Sequence, residues 1–395
     1  MKKTLLASAA AIGLLTGPAA AQEIKIGVLL GFTGPIESIT PGMAAAAELA
    51  LTEVNEAGGV LGGQMLTPVR ADSTCIDAGA AAAAAERLIS SERVAAIMGA
   101  DCSGVTIAVL NNVAMPNGIT MISPSATSPA LTTIEDNGLF FRTAPSDARQ
   151  GQVIAEMMQE RGVTEIAVTY TNNDYGKGLA DSFQAAFEAL GGRVTLSAAH
   201  EDGKADYSAE VGALSASGAE WLAVFGYADQ GGVGVIRASV DSGAFEQFVL
   251  ADGMFGQSLI DAIGEELEGT IGAVPASEGA GADRFAEAAR AAGIDLEGGF
   301  RSEAYDAAAL IALAIQAGGS ADSRSIADNI LRVANAPGEP ILAGELAKGL
   351  EILAAGGEID YVGATNVELI GPGEASGSYR EYEVRDGAFS TIQFR

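Results

Sequence analysis

Hydroxyl side chains cluster in two turns of the first third of the chain, each directly after a short apolar run. The apolar runs Val94–Met98 and Gly118–Ile122 predict short buried strands. Ser103 follows the first run, and the turn after the second run contains Ser125 and Thr127. Ser and Thr at such turns cap the next helix and leave backbone N–H groups pointing outward. Two neighbouring helix starts of this kind predict a binding site for a small carboxylate that needs no Arg or Lys.

The two cysteines of the chain, Cys75 and Cys102, also lie close to these turns. Cys75 follows the predicted strand Leu66–Ala71 and Cys102 follows Val94–Met98, so both are expected at carboxyl ends of strands. In an oxidising compartment two cysteines favour one disulfide, with two free thiols as the alternative. The single histidine of the sequence disfavours a metal site, and we expect no metal and no cofactor.

Residues 1–21 have the features of a cleavable signal peptide. Lys2 and Lys3 precede the apolar run Leu5–Leu15, and a stretch of small residues ends at Ala21. The apolar run is too short to cross a bilayer, which needs about 20 residues. We therefore expect cleavage after Ala21 and export of the mature chain to the periplasm.

The composition and the motifs together disfavour several classes of function. The formal net charge is −29, which argues against nucleic acid and anionic membranes as partners. His200, the only histidine, lies in an acidic turn and is expected to be solvated. No nucleophile elbow, phosphate loop or dinucleotide-binding fingerprint is complete in this sequence. The sequence therefore predicts a protein that is not an enzyme.

Strand-like and helix-like segments alternate along most of the chain. One series begins with the strand-like Ile24–Leu30, and a second begins with the helix-like Asp147–Arg161. Alternation of this kind predicts parallel sheets with helices on both faces, and about 374 residues after cleavage fit two lobes. The last segment, Tyr361–Arg395, alternates apolar and polar residues and predicts strands or hairpins that close a sheet.

Seven short motifs occur in order along nearly all of the mature chain. They are IKIGVLLGFTGPI at Ile24–Ile36, ALTEVNEAGGVLGGQ at Ala50–Gln64, GADCSGVT at Gly99–Thr106, ISPSATSPALT at Ile122–Thr132, FRTAPSDARQG at Phe141–Gly151, NDYGKGLA at Asn173–Ala180 and YDAAALIALAI at Tyr305–Ile315. In their order and spacing, the chain resembles the periplasmic substrate-binding proteins of ABC transporters for branched-chain amino acids, the leucine/isoleucine/valine-binding group.

The resemblance implies an α/β fold of the type I periplasmic binding protein class. Such a protein has two doubly wound parallel-sheet lobes, joined by a three-crossing hinge, that close over a ligand in the cleft. Carried onto this chain, the N-terminal lobe comprises residues 22–143 and 276–358, and the C-terminal lobe comprises residues 144–275 and 359–395. The resemblance also implies a disulfide between Cys75 and Cys102.

The family's contacts to the ligand carboxylate fall on the two hydroxyl-rich turns. The resemblance implies that Ser103 and Thr127 bind the α-carboxylate and that Ser125 supplies backbone contacts. Relatives often carry a Tyr shortly after the first TGP turn, whereas Ile39 or its neighbours take that place here. Because this loop would contact the ligand side chain, the identity of the ligand stays open.

The family holds the ligand ammonium group with an acid and tyrosines of the second lobe. The matching acid is Asp252, at a position where relatives more often have Glu. Tyr175 and Tyr227 match the tyrosine positions, and Asp229 lies near enough to Tyr227 to compete for the role of the acid.

The sequence therefore predicts a periplasmic receptor of an ABC importer that binds an amino acid, most of all an aliphatic or branched-chain one. The receptor would deliver this ligand to a membrane permease, as a monomer and without nucleic acid. One alternative is the same fold with an amide, a urea-like solute or an aromatic carboxylate as ligand. Another is a sensory or regulatory receptor, whose closed form contacts a signalling partner.

Overall fold

The computed structural model describes residues 23–395, so the predicted signal peptide lies outside the described residues. Strands in the described residues are β1 Ile24–Leu30, β2 Leu66–Asp72, β3 Ala96–Gly99, β4 Met121–Ser123, β5 Phe140–Pro145, β6 Glu165–Thr171, β7 Arg193–His200, β8 Trp221–Phe225, β9 Gln247–Leu250, β10 Ile271–Pro275, β11 Glu339–Leu342, β12 Ile359–Gly363, β13 Leu369–Ile370, β14 Glu374–Ala375, β15 Tyr379–Arg385 and β16 Ala388–Phe394. The α-helices are α1 Thr40–Glu56, α2 Ala78–Arg87, α3 Ser103–Val109, α4 Met115–Asn117, α5 Asp147–Glu160, α6 Asp174–Ala189, α7 Ser208–Ser215, α8 Gly231–Ser242, α9 Gln257–Ile263, α10 Ala280–Ala291, α11 Arg301–Gly318, α12 Ser323–Ala334 and α13 Leu346–Ala354.

The strands form two large sheets of similar construction. The first has the order β13-β14-β5-β4-β3-β1-β2, and the second has the order β16-β15-β10-β9-β8-β6-β7. Strands β1 to β5 are parallel in the first sheet, and β6 to β10 are parallel in the second. The α/β prediction with two parallel-dominated sheets is confirmed. We call the first sheet with its helices the N-terminal lobe, and the second the C-terminal lobe.

Apolar content on both faces of the central strands explains this layering. Nearly every residue of β1, β3 and β8 is buried, as expected for strands covered by helices on two sides. Helix α11 is rich in Ala, and its residues from Glu303 to Ile315 are all buried. Small side chains of this kind let a helix lie close against its neighbours, so α11 forms the centre of the N-terminal lobe with α1 beside it.

The chain crosses between the lobes three times. The crossings lie between β5 and α5, between β10 and α10, and between β14 and β15. The lobe boundaries of the sequence prediction remain a proposal. Because β13 and β14 pair within the first sheet, next to β5, the structure favours a last boundary at 376–378 over one at 359.

Several elements have no clear signal in the sequence. The strands β5 and β10 lie directly before crossings, and β10 carries Gly and Pro in only five residues, IGAVP. The helix α13 and the two-stranded sheet of β11 and β12 form in a Gly-rich stretch. The predicted closing hairpin is formed by the antiparallel pair β15 and β16, which extends the second sheet.

Candidate functional site

A cavity lies between the lobes, where the carboxyl ends of the strands of both sheets meet. Open α/β sheets bind ligands at this edge because the loops after the strands converge there. We call it the interlobe cavity. It is lined by Ile36, Ile39, Met43, Asp101, Cys102, Ser103, Ser125, Tyr175, Tyr227, Asp252, Gly253 and Phe300.

The first polar side of the cavity is built by the turns after β3 and β4. Ser103, the first residue of α3, is buried, and its hydroxyl oxygen accepts a hydrogen bond from the Ser128 backbone N–H at 3.0 Å. The oxygen is thereby occupied as an acceptor, and the hydroxyl proton is free to point at an acceptor in the cavity. The Ser125 hydroxyl donates to the Asp101 carbonyl at 3.0 Å, which ties the two turns together.

Thr127 does not line the cavity, although it belongs to the same turn. Its side chain is 1% exposed, and its hydroxyl has no hydrogen-bonding partner among the described residues. Its carbonyl accepts a hydrogen bond from the Asp147 N–H at 2.8 Å. The Thr127 hydroxyl lies beside the Asp147 carboxyl group and lowers its pKa, but without the alignment of a regular hydrogen bond. A direct role of Thr127 in ligand binding stays a prediction.

A buried arginine fixes the shape of this turn. Arg142 on β5 is 1% exposed, and its guanidinium donates to the carbonyls of Ala126 and Ser128, both at 2.9 Å. It also donates to the Thr132 hydroxyl at 2.8 Å and pairs with Glu374 at 2.5 Å. The turn leads into a 3₁₀ helix at Pro129–Thr132, and not into the α-helix that the sequence analysis expected. Of these two turns, the one after β3 leads into an α-helix, α3.

The opposite polar side of the cavity comes from the C-terminal lobe. Asp252, two residues after β9, is 3% exposed, and its Oδ1 accepts a hydrogen bond from the Tyr175 hydroxyl at 2.8 Å. The Tyr175 oxygen in turn accepts from the Gly253 N–H at 3.2 Å. The rings of Tyr175 and Tyr227 stack with centroids 5.3 Å apart, and the Asn173 amide donates to the Tyr227 hydroxyl at 3.2 Å.

A second carboxyl group lies close behind Asp252. Asp147, the first residue of α5, is fully buried, and neither of its oxygens has a hydrogen-bonding partner among the described residues. Burial, with the charge of Asp252 as the second cause, holds the pKa of Asp147 well above its usual range. Burial also raises the pKa of Asp252 to about 6, although the hydrogen bond from Tyr175 opposes this rise. This side of the cavity is therefore suited to a cation.

Asp147 and Asp101 were not predicted from the sequence as residues of the site. In the sequence an acid at Asp147 is explained by the helix start alone, because negative side chains are favoured at helix N-termini. Asp101 lines the cavity, accepts hydrogen bonds from the Gly31 N–H at 2.6 Å and the Ser73 hydroxyl at 2.7 Å, and so joins the loops after β1, β2 and β3. No local pattern marks either residue, since their partners are far away along the chain.

The remainder of the cavity is apolar. Ile36 and Ile39 come from the loop before α1, Met43 comes from α1 itself, and Phe300 directly precedes α11. Phe300 has a positive φ of 64° and was also missed, because nothing in the sequence predicts that backbone conformation. Ile39 thus stands at the cavity where the sequence analysis placed the departure from relatives. An aliphatic group is the chemical complement of these four side chains.

A sequence model of the family described as "Periplasmic binding protein" matches residues 23–344. The chain belongs to the periplasmic binding protein family. A Leu/Ile/Val-binding protein homolog 1 from Brucella melitensis is 30% identical over 334 residues, which cover 83% of this chain and 87% of that protein. A leucine-, isoleucine-, valine-, threonine- and alanine-binding protein from Pseudomonas aeruginosa is 30% identical over 328 residues, with coverage of 82% and 86%.

Solved structures of ligand-binding proteins share the fold of this chain. A leucine-binding protein LivK from Thermotoga maritima has a TM-score of 0.79 at 23% identity, with 94% of this chain and 98% of that chain covered. LivJ from Streptococcus pneumoniae, solved with isoleucine, has a TM-score of 0.77 at 23% identity, with 94% and 99% covered. A solute-binding protein from R. palustris, solved with 4-hydroxybenzoate, has a TM-score of 0.76 at 20% identity, with 95% and 97% covered.

Other features of this periplasmic binding protein bear on the sequence predictions. The Cys75–Cys102 disulfide is present, and Cys102 lies directly before α3 at the cavity. Within residues 23–395, no helix is long and apolar enough to cross a membrane, and no group of three His, Cys, Asp or Glu side chains could hold a metal ion.

One expectation about a single residue is wrong, and one alternative does not fit the cavity. His200 is not solvated; it ends β7, is 2% exposed, bonds the Thr169 hydroxyl at 2.8 Å, and its pKa is lowered by burial to about 4. Asp229 does not line the interlobe cavity and instead bonds Ser38 across the cleft. Ser103, Ser125, Tyr175, Tyr227 and Asp252 do line the cavity together, and their contacts with a ligand remain predictions.

Proposed function

We propose that the protein is a periplasmic receptor of an ABC importer that binds an aliphatic amino acid, most of all a branched-chain one, and delivers it to a membrane permease. One observation carries this proposal: a single cavity combines three kinds of chemistry. The Ser103 hydroxyl suits a carboxylate, the buried Asp252 suits an ammonium group, and the side chains around Ile39 suit an aliphatic chain. A free aliphatic amino acid has a carboxylate, an ammonium group and an apolar side chain, and so matches all three parts of the cavity.

Similar proteins support the same ligand class. The relatives from Brucella melitensis and Pseudomonas aeruginosa are named for binding leucine, isoleucine and valine, and the second also for threonine and alanine. In our proposal the Ser103 hydroxyl donates to the ligand carboxylate, because its oxygen is already an acceptor for Ser128. Asp252, aligned by Tyr175, accepts from the ammonium group. Binding stabilises the closed arrangement of the lobes, and no bond of the ligand is broken.

The proposal includes the cellular setting of such a receptor. Residues 1–21 act as a signal peptide that is cleaved after Ala21, and the mature protein works in the periplasm as a monomer. The supporting observations are the pattern of residues 1–21 and the family of the chain. Membership of a family of binding proteins also supports the absence of catalysis and of nucleic-acid binding in this proposal.

An aromatic carboxylate is the second candidate ligand. The stacked rings of Tyr175 and Tyr227 favour it, and so does the fold shared with the 4-hydroxybenzoate complex. An aromatic carboxylate carries no cation to pair with Asp252, and a buried carboxylate without a cationic partner is costly. We therefore place it second to an amino acid. A sensory receptor would use the same cavity and differ only in the partner of its closed form.

Calorimetry and thermal melting on the mature protein, unfolded and refolded to strip bound solute, test the ligand class. The panel contains L-leucine, L-isoleucine, L-valine, L-alanine, the deaminated acid of leucine, leucinamide, urea and 4-hydroxybenzoate. A ligand at about 1,000 times its Kd stabilises the fold by about 4 kcal/mol, a shift of several degrees. We expect shifts with the aliphatic amino acids only.

Two variants test the named contacts. Ser103→Ala and Asp252→Asn should each weaken L-leucine binding by about 1–3 kcal/mol, because each removes a buried hydrogen-bonding partner. Asp241→Asn, which removes an exposed acid of the same lobe, is the matched control and should bind as the wild type does. Binding of the deaminated acid or of 4-hydroxybenzoate in preference to leucine, with Asp252→Asn unaffected, would contradict the proposal.

A further inference from the structure

Hydrogen bonds join the two lobes at the mouth of the cleft, outside the interlobe cavity. The Asp229 carboxylate accepts from the Ser38 N–H at 2.8 Å and from the Ser38 hydroxyl at 2.8 Å. The Asp229 N–H donates to the Pro35 carbonyl at 3.1 Å, and the Ser38 and Ser258 hydroxyl groups are 3.1 Å apart. Ser38 and Pro35 belong to the loop between β1 and α1 of the N-terminal lobe. Asp229 and Ser258 belong to the C-terminal lobe, in the turn before α8 and in α9.

Both carboxylate oxygens of Asp229 are directed across the cleft. Each oxygen accepts one hydrogen bond from Ser38, and no hydrogen bond from the C-terminal lobe reaches this carboxylate among the described residues. A carboxylate that stabilised its own lobe would accept hydrogen bonds from that lobe. The hydrogen bonds of the Asp229 carboxylate therefore form only when the lobes are together.

The loop that Asp229 binds also forms part of the interlobe cavity. Ile36 and Ile39 flank Ser38 in this loop, and both are buried at the cavity. Separation of the lobes must break the bonds between Asp229 and the loop before these two apolar side chains can leave the ligand. The hydrogen bonds at the rim thus hold the part of the cavity that contacts the ligand side chain.

We propose that Asp229 is a positioning residue that latches the closed form: it fixes the Pro35–Ile39 loop and slows the release of the ligand without touching it. This inference rests on the proposed binding function. Hydrogen bonds to a charged group are stronger than those between neutral groups, but this pair is exposed to water at the rim. Loss of the latch should therefore raise the ligand dissociation rate by roughly three- to thirty-fold, the equivalent of one such bond.

The first test compares Asp229→Asn and Asp229→Ala with the control Asp241→Asn, using L-leucine as the probe. Stopped-flow binding and calorimetry should show a faster dissociation rate in both Asp229 variants, with the association rate within about twofold of the wild type. Thermal unfolding of the ligand-free variants should match the wild type, since the carboxylate has no partner in its own lobe. Unchanged dissociation, or an equal loss of ligand-free stability, would overturn the latch.

A double-mutant cycle with Ser38→Ala separates a latch from an independent effect of each residue. If the two side chains act on each other, the double variant Ser38→Ala/Asp229→Ala loses less affinity than the sum of the single losses. Additive losses would contradict a direct contact in the ligand-bound form.

A crosslink tests the latch without any ligand. The short distance between the Ser38 and Ser258 hydroxyl groups allows a disulfide when both are replaced in Ser38→Cys/Ser258→Cys. The Ser38 backbone N–H still donates to Asp229 in this variant, so we expect the crosslink to form more slowly when Asp229→Ala is added, because the rim opens more often; an equal rate would overturn the latch. Failure of L-leucine to bind the wild type would instead contradict the proposed ligand, and the crosslink rate would still decide the latch.

Discussion

At the scale of single residues, the buried carboxyl groups of Asp252 and Asp147 determine the charge on the C-terminal side of the cavity. Asp252 faces Tyr175 from α6 and faces Asp147 and Gln150 from α5, and no positive side chain among residues 23–395 forms an ion pair with it. Burial favours the neutral form of both acids, and the charge of Asp252 also raises the pKa of Asp147. A bound ammonium group would reverse this balance, since it favours the ionised form of Asp252.

The affinity for L-leucine should therefore depend on pH. The pKa of Asp252 is about 6 without ligand, so binding an ammonium group below this pH must first release a proton. We expect Kd to fall roughly tenfold between pH 5 and pH 7 and to level off above that, as measured by calorimetry. Because the pKa of Asp252 is higher in the folded protein than in the unfolded chain, the ligand-free protein should become less stable as pH rises from about 4 to about 6.

The control for this prediction is Asp252→Asn, which cannot titrate at this position. Its weaker binding should vary less between pH 5 and pH 7 than that of the wild type. Proton uptake on binding, measured by calorimetry in buffers of different ionisation enthalpy, would contradict the assigned direction, since our scheme requires proton release.

At the scale of elements, the turn after β4 depends on one arginine of the neighbouring strand. Arg142 donates to two carbonyls of the turn, to Thr132 and to Glu374, the last of which lies on β14 beside the third crossing. Because this turn is not followed by an α-helix, its shape is held by hydrogen bonds from the neighbouring strand. The shape of the predicted carboxylate side of the cavity thus depends on a residue that need not contact the ligand.

Arg142→Met should cost about 3–5 kcal/mol of unfolding free energy, because it leaves Glu374 without its cationic partner and two buried carbonyls without their donor. Chemical denaturation measures this loss. Arg149→Met is the matched control, since Arg149 is 40% exposed and lies 3.8 Å from Glu156, a distance at which an exposed pair contributes little. Equal stability of the two variants would show that the Arg142 network does not hold the turn.

At the scale of the whole molecule, the lobes are in contact on both sides of the cavity. Opposite the Asp229 latch, the Ser128 hydroxyl of the N-terminal lobe donates to the Asp174 carbonyl at the start of α6, at 3.0 Å. Gly178, one turn further along α6, packs so closely that a Cβ there would lie 2.8 Å from Pro129 and 3.1 Å from the Ser128 hydroxyl. The absence of a side chain at this position allows the lobes to meet.

Gly178→Leu should therefore act as a wedge that hinders closure. We expect L-leucine affinity to fall by tenfold or more, the equivalent of about 1.4 kcal/mol of overpacking. The ligand-free fold should keep its stability, because Leu is a better helix former than Gly. Gly212→Leu in α7, where a Cβ would meet nothing within 4 Å, is the control. Undiminished affinity in Gly178→Leu would show that the ligand-bound form is more open than this structure.

The sequence by itself determined the repeating elements and the chemical types at the cavity. Apolar runs and helix starts depend on neighbouring residues, so β1, β2 and α5 could be placed within a residue or two. The motif order also pointed to the family, to the pairing of Cys75 with Cys102, and to five side chains that the fold brings to one cavity.

Only the tertiary structure decided the features that depend on residues far apart along the chain. The pKa of Asp147 is raised because α5 places it in a buried position beside Asp252. Asp229 joins the lobes because they meet at Ser38. Burial of His200 and the inward position of Phe300 likewise follow from packing. The physical reason is the same in each case: desolvation, and pairing across roughly a hundred residues or more, leave no mark in a local sequence pattern.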